Sequence, residues 1–240
     1  MELTIVIPVR NEVENLAALL AEIALALADL GESEIIYVND GSTDLTLPKL
    51  LQLRECHPRL RVVSHRQGYG QSAALWTGIR AARGTLIATL DGDGQNDPAD
   101  IPRLLTVLRA LQQENPYAMV VGHRIQRRDT GWRRLTSRIA NTVRGALLGD
   151  QTPDTGCGLK VFPRDLFLAL PYFDHMHRFL PALVKRVGGK VVSVEVNHRP
   201  RLHGVSNYGT WNRLWVGIVD MLGVMWLQRR AKVVEIDGIP

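Results

Sequence analysis

Short apolar runs alternate with stretches of helical periodicity through the first half of the chain, which confines it to an α/β fold built on a mostly parallel sheet flanked by helices. The runs fall at residues 3–9, 34–39, 60–64, 85–90 and 118–122. Between the first two, Leu16, Leu19, Leu20, Ile23, Leu27 and Leu30 recur at helical spacing, and Gly31 supplies a stop. Asp97-Pro98 offers a capping carboxylate followed by a proline suited to a first turn, so a helix is predicted from there toward Gln113. Beyond residue 123 the pattern is less regular: an amphipathic segment at 132–148, a strand at 190–197 and a helical stretch near 211–227. With 240 residues, 45% of them hydrophobic, and no repeat, low-complexity tract or linker, one domain over 1–240 is expected.

The first residues, Met1-Glu2-Leu3-Thr4-Ile5-Val6-Ile7-Pro8, carry no basic region or small-residue cleavage site. They read as a buried strand, and the expected location is the cytosol. Cys56 and Cys157 have no metal-ligand spacing and are expected to be reduced thiols. The formal charge of +5 is concentrated: residues 123–144 hold seven arginines against the single acid Asp129. Such a stretch points to an anionic partner or to a solvated helix face. The segment 211–227 is short for a membrane span and includes Arg213 and Asp220. Trp211, Trp215, Ile218, Leu222 and Trp226 share one helical face, with Arg229, Arg230 and Lys232 following, which suits a helix lying in a membrane surface; a helix packed on the core has the same pattern.

The chemistry is concentrated at strand ends. Thr89-Leu90-Asp91-Gly92-Asp93-Gly94-Gln95 closes an apolar run with two carboxylates one residue apart, which point to the same side in extended chain. They repel each other, and a hard divalent cation that shares its sphere with phosphate oxygens relieves the repulsion. Asp-Gly is also a common turn dipeptide, so this element alone is weak. Two further strand ends, Pro8 to Glu12 and Asn39-Asp40-Gly41-Ser42, are polar as well, and ligands of open α/β sheets bind outside the carboxyl ends of strands. Asp40 could accept hydrogen bonds from a base or ribose, or close a turn and helix cap.

In order along the chain, Pro8-x-x-Asn11-Glu12, Asn39-Asp40-Gly41-Ser42, Arg66-x-Gly68-x-Gly70-x-x-Ala73, Asp91-x-Asp93-x-Gln95, Gly122-x-Arg124, Asp154-x-Gly156-x-Gly158 and Arg201-x-x-Gly204-x-Ser206-x-Tyr208 resemble the family 2 glycosyltransferases of GT-A fold, and within them the polyprenyl-phosphate, dolichol-phosphate mannose synthase-like sugar transferases. The likeness spans nearly the whole chain. It implies a Rossmann-like mixed sheet with amphipathic C-terminal helices, a donor half at 1–122 and an acceptor and membrane-facing half at 123–240. Asp91, Asp93 and Gln95 would hold Mg²⁺ or Mn²⁺. Pro8, Glu12, Asp40, Gly41, Ser42, Arg66 and Asp91 would surround the nucleotide sugar, with Arg201 and Ser206 on its diphosphate. Asp93, Arg124 and Arg201 would be catalytic. The sequence departs from the family where Arg10 replaces an aromatic, Asn39 replaces an aspartate, and glycines stand inside the metal element.

Arg124 with Arg133, Arg134 and Arg138 offers a cationic pocket for a polyprenyl phosphate. A phosphate monoester, with a second pKa near ~6, is already anionic at neutral pH and needs no general base. Positioning and charge stabilisation would then suffice for in-line, inverting attack on the sugar. His175-Met176-His177-Arg178-Phe179 could border the acceptor entrance or be surface polar residues. Competing readings are a soluble saccharide acceptor, a nicotinamide-dependent oxidoreductase based on Gly68-Tyr69-Gly70-Gln71-Ser72-Ala73, and a basic membrane-binding module. No nucleic acid partner is expected. The sugar, the choice of UDP or GDP and the oligomeric state stay open.

Overall fold

The computed structural model describes residues 1–124, 144–145, 147–150, 152–200 and 210–232, with side chains of the last helix from residue 216. Its centre is a seven-stranded sheet in the order β3-β2-β1-β4-β6-β5-β7. The strands are β1 (Leu3–Val9), β2 (Ser33–Asn39), β3 (Leu60–Ser64), β4 (Leu86–Thr89), β5 (Ala118–Arg124), β6 (Lys160–Pro163) and β7 (Lys190–Val196). β1 pairs in parallel with both β2 and β4, and β5 with β7, whereas β6 runs antiparallel to its neighbours β4 and β5.

Apolar side chains on both faces of the strands explain the near-continuous hydrophobic runs. Leu3, Ile5, Ile7 and Val9 of β1 face one core, and Val6 faces the other. The first core receives Leu16, Leu19, Leu20 and Ile23 of helix α1 (Leu16–Ala26), Leu50 of α2 (Thr46–Cys56), and Ile101, Leu104, Leu105 and Leu108 of α4 (Ile101–Gln112). The second receives Ala74, Leu75 and Ile79 of α3 (Gln71–Ala81), with α5 (Arg164–Leu168), α6 (Leu180–Arg186) and Val224 of α7 (Thr210–Arg229). Each fully buried Leu or Ile contributes on the order of 1.5–3 kcal/mol.

Helices α1 and α2 cover one face and α3 the other. The crossover from β1 therefore diverges from the one into β4, and the carboxyl ends of these two strands form the switch point of the sheet. Asp97 Oδ1 accepts from the Ala99 N–H at 3.0 Å, as its capping position requires, but the first turn, Pro98–Asp100, is 3₁₀ before α4 begins. The α1 pattern extends to Leu30, yet the helix stops at Ala26 and Leu27 is buried from a turn. Of the segment 132–148, only Arg144–Gly145 and Leu147–Leu148 lie among the described residues. Among the described residues no helix is long and apolar enough to cross a membrane.

Candidate active site

Three strand ends and the loops that follow them meet at the switch point. The turn after β1 is tied to the turn after β2: the Asn11 N–H donates to Ser42 Oγ at 3.0 Å, the Thr43 N–H to Asn11 Oδ1 at 2.8 Å, and the Glu12 N–H to Thr46 Oγ1 at 3.0 Å. Asn11 has φ 57°, a conformation asparagine tolerates. Glu12 accepts from Asn15 Nδ2 at 2.6 Å. Pro8 sits near the end of β1, and Arg66 is exposed in the loop after β3.

Asp40 is buried and engaged by its own chain. Its carboxylate accepts from the backbone N–H groups of Tyr69 at 2.9 Å and Gly70 at 2.8 Å, and lies 2.8 Å from His65 Nδ1. His65 Nε2 is in turn 2.9 Å from Thr77 Oγ1. The residue thus fastens the Gly68-Tyr69-Gly70 loop over the end of β2. Gly41, at φ 63°, lies so close to this loop that a Cβ would meet the Gln67 carbonyl carbon at 2.2 Å. Asn39 donates to Ser64 Oγ at 2.9 Å and accepts from the Ser42 N–H at 3.2 Å.

The acidic turn after β4 is built differently. Asp91 Oδ1 accepts one hydrogen bond from Gln71 Nε2 at 2.8 Å, at the start of α3. Burial, and then the neighbouring charge of Asp93, push the Asp91 carboxyl above the ordinary aspartate range, against the opposing pull of Lys160, Arg124 and the Gln71 hydrogen bond. Asp93 is buried and accepts from the Gln95 N–H at 3.1 Å. Gln95 donates through Nε2 to the Arg199 carbonyl at 3.4 Å, and its own carbonyl accepts from the Arg199 N–H at 2.9 Å. The Arg199 guanidinium spans Glu22 at 2.8 Å and Asp97 at 2.7 Å, locking the end of β7 against this turn. Glycine is required at two neighbouring points: a Cβ on Gly158 would lie 2.3 Å from the Asp91 carboxylate, and one on Gly92 would lie 2.4 Å from Val9 Cγ1.

These features suit a hard divalent cation. Two carboxylates with mutual repulsion, a space kept open by Gly158, and an amide oxygen available on Gln95 make an oxygen donor set. Among the described residues no group of three His, Cys, Asp or Glu side chains could hold a metal ion, so substrate oxygens and water would complete the sphere.

β6 brings in residues from far along the chain. Lys160 pairs with Thr89 across β4, which carries the segment 154–159 alongside Asp91. Lys160 is only 5% exposed, and its ammonium donates to the Cys157 carbonyl. Burial lowers its pKa, opposed by Cys157, Asp91 and Asp154. A cavity of about 190 Å³ lies here, and its walls include Gln71, Asp91, Lys160, His177 and Arg178. His177 Nδ1 is 2.7 Å from Ser72 Oγ, and burial, with Lys160, Arg178 and His175 nearby, lowers its pKa to about 3, so the ring is neutral at physiological pH. Arg124, at the end of β5, is held in a fork by Asp154 at 2.6 and 2.8 Å. It reaches the site as half of an ion pair.

Arg133, Arg134, Arg138, Arg201 and Ser206 lie outside the described residues. Pro8, Glu12, Asp40, Gly41, Ser42, Asp91, Asp93, Gln95 and Arg124 all lie at strand ends or in the loops that follow them. Gln71, Lys160, His177 and Arg178 went unassigned or nearly so in the sequence, because nothing in the spacing of α3, β6 and the 3₁₀ turn Met176–Arg178 ties them to Asp91.

The family model described as "Glycosyl transferase family 2" matches residues 4–170, more than half of the chain. The chain belongs to glycosyl transferase family 2. This transferase is 37% identical over 237 residues to a dodecaprenyl-phosphate galacturonate synthase from Rhizobium johnstonii, covering 95% of the chain and 68% of that protein. It is 36% identical over 215 residues to an undecaprenyl-phosphate 4-deoxy-4-formamido-L-arabinose transferase from Pseudomonas aeruginosa, covering 88% of the chain and 61% of that protein. The chain therefore spans about two thirds of these relatives. Two solved structures share the GT-A fold of the transferase. One is glucosyl-3-phosphoglycerate synthase from Mycobacterium tuberculosis with UDP, at TM-score 0.66 and 20% identity over 98% of this chain and 81% of that one. The other is a mannosyltransferase from Pyrobaculum calidifontis with GDP-Man and Mn²⁺, at TM-score 0.66 and 20% identity over 97% and 66%.

Proposed function

We propose that this transferase moves a sugar from a nucleoside diphosphate to a polyprenyl phosphate, with inversion and with Mg²⁺ or Mn²⁺, at the cytoplasmic face of a membrane. The observation that carries the metal-dependent donor site is the Asp91–Asp93 pair: two neighbouring carboxylates at the switch point, Asp93 buried and Asp91 half-buried with its pKa raised, beside a cavity. A divalent cation bound there neutralises charge developing on the leaving diphosphate. Asp91 and Asp93, with the Gln95 amide oxygen, would be its protein ligands. Pro8, Glu12, Asp40, Gly41, Ser42 and Arg66 would frame the nucleotide, Asp40 through the loop it holds as well as by contact. Arg201 and Ser206 would meet the diphosphate.

The acceptor assignment draws on the polyprenyl-phosphate relatives and on the arginine-rich stretch, in which Arg124, Arg133, Arg134 and Arg138 would hold the acceptor phosphate. In this reading residues 1–122 are the donor half of a single domain and 123–240 the acceptor and membrane-facing half. The membrane assignment draws on α7, which buries Val224 and packs Met221, Met225 and Leu227 on the core while leaving Ile218, Val219, Leu222 and Trp226 exposed. Arg229, Arg230 and Lys232 follow, an arrangement suited to anionic headgroups.

The test is incubation with labelled nucleotide sugars, undecaprenyl phosphate and Mn²⁺, following label into the organic phase. Transfer should vanish with excess chelator; transfer undiminished by chelator, or label passing only to a soluble saccharide, would overturn the reading. Leu222→Asp should release the protein from anionic vesicles in co-sedimentation while leaving the fold intact, since that side chain lies outside the core.

A further inference from the structure

Asp220 is the one acid of α7. Its side chain is 16% exposed and faces the loop that leads to the cavity, with Oδ2 at 3.2 Å from His175 Nδ1. That oxygen is buried and makes no aligned hydrogen bond, so charge holds the pair together. Burial pushes the Asp220 carboxyl above its ordinary range; His175 and then Arg178 oppose the push, and Asp174 adds to it. His175 Nε2 lies 3.6 Å from Asp174 Oδ2, so both ring nitrogens face carboxylates, an arrangement suited to the imidazolium with a proton on each.

His175 has φ 63°, a conformation uncommon outside glycine that persists where the surroundings hold it. It opens the 3₁₀ turn Met176–Arg178, in which the Arg178 N–H donates to the His175 carbonyl at 3.0 Å. This stretch is fixed at three points. Met176 is buried in the core, His177 is bound to Ser72 Oγ through its backbone N–H at 3.2 Å and through its ring, and His175 meets α7. His177 and Arg178 then stand in the cavity wall with Gln71 and Asp91. The apolar packing of Met221, Val224 and Met225 on the core is non-directional, whereas the ion pair sets one register between helix and turn.

We propose, resting on the transferase reading above, that His175 and Asp220 are a positioning pair: by joining α7 to the turn, they set the His177–Arg178 wall of the cavity in the geometry that transfer requires. Neither side chain lines the cavity, so the pair acts through the turn. A helix that settles on a membrane surface through Ile218, Leu222 and Trp226 thereby carries its placement to the site within two residues of chain.

The experiment uses the whole chain with Mn²⁺, undecaprenyl phosphate and a labelled nucleotide sugar that it turns over. Asparagine is the substitution at both positions, because it tolerates the left-handed backbone at 175 and keeps the shape of the side chain at 220 while removing its charge. His175→Asn and Asp220→Asn should each lower kcat by roughly 10- to 100-fold, the cost of misplacing groups beside a reacting centre. Affinity for Mn²⁺ and a sugar-free nucleoside diphosphate should change by less than about twofold. The double variant should be no slower than the slower single one, as for two residues acting through one contact, and Asp220→Glu should recover part of the rate. A purely structural pair would lower Tm and leave kcat of the folded protein alone. Wild-type kcat in the single variants, losses that multiply in the double variant, a matching loss of diphosphate affinity, or an Asp220→Asn protein that does not fold each overturns this assignment and leaves the transferase reading standing. A wild type that transfers no sugar brings down the transferase reading and this assignment with it.

Discussion

The turns after β2 and β4 carry similar sequences, Asn39-Asp40-Gly41-Ser42 and Asp91-Gly92-Asp93-Gly94, and the fold puts them to opposite uses. Asp40 is satisfied from within: two backbone N–H groups and the His65 ring converge on it, so its charge holds a loop in place. Asp91 accepts one side-chain hydrogen bond, faces the like charge of Asp93, and borders a cavity. An acidic strand end becomes structural when backbone donors reach it, and becomes a candidate ligand site when a second carboxylate does.

Substitutions at the three aspartates separate these roles. The largest effect is expected from Asp93→Ala, which should lower transfer by ~10³-fold or more through loss of charge stabilisation at the diphosphate. Circular dichroism should stay native-like, and retained activity would place the metal elsewhere. Next is Asp40→Ala, which leaves the Tyr69 and Gly70 N–H groups and His65 without their acceptor. A loss of about 2–4 kcal/mol in denaturant unfolding is expected, with Mn²⁺ affinity preserved; weakened metal binding without lost stability would erase the contrast.

The smallest effect is the most diagnostic. The Asp91 carboxyl titrates above its unfolded value, so the folded metal-free chain holds the proton more tightly than the unfolded chain. That contribution to stability is present at low pH and is lost as pH rises through the folded pKa. Asp91→Asn should therefore raise the Tm of the metal-free protein at neutral pH by a few degrees while abolishing metal binding. In the wild type, Mn²⁺ affinity should weaken as pH falls, and calorimetry in buffers of different ionisation enthalpy should detect proton release on binding. A lowered Tm would mean that Asp91 is paired in the folded state as Asp40 is.

Much of the donor side was legible because its signals are local. Strands 3–9 and 60–64 coincide with β1 and β3: β1 is buried on both faces and so apolar almost throughout, β3 is a half-buried edge strand marked by its Val62-Val63 pair, and Asp91, Asp93 and Gln95 lie within five residues of each other. The opposite wall was not. β6 is four residues long, too short to carry a period, and its role comes from lying antiparallel between β4 and β5. The sequence pattern shows Arg124 as a free cation of a basic stretch, but Asp154, 30 residues away, forms a bidentate pair with it. Arg199 is similar: its clamp on Glu22 and Asp97 joins three segments of the chain.

By itself the amino-acid order determined the α/β class, the strand ends that carry chemistry, and the adjacent carboxylates, because backbone periodicity and neighbouring charge act over a few residues. Only the tertiary structure decided which carboxylate is saturated, that Arg124 is paired with Asp154, and that Lys160 and His177 wall a cavity at Asp91. Those outcomes depend on burial and on partners brought together from distant parts of the chain, and both exist only once the sheet has assembled.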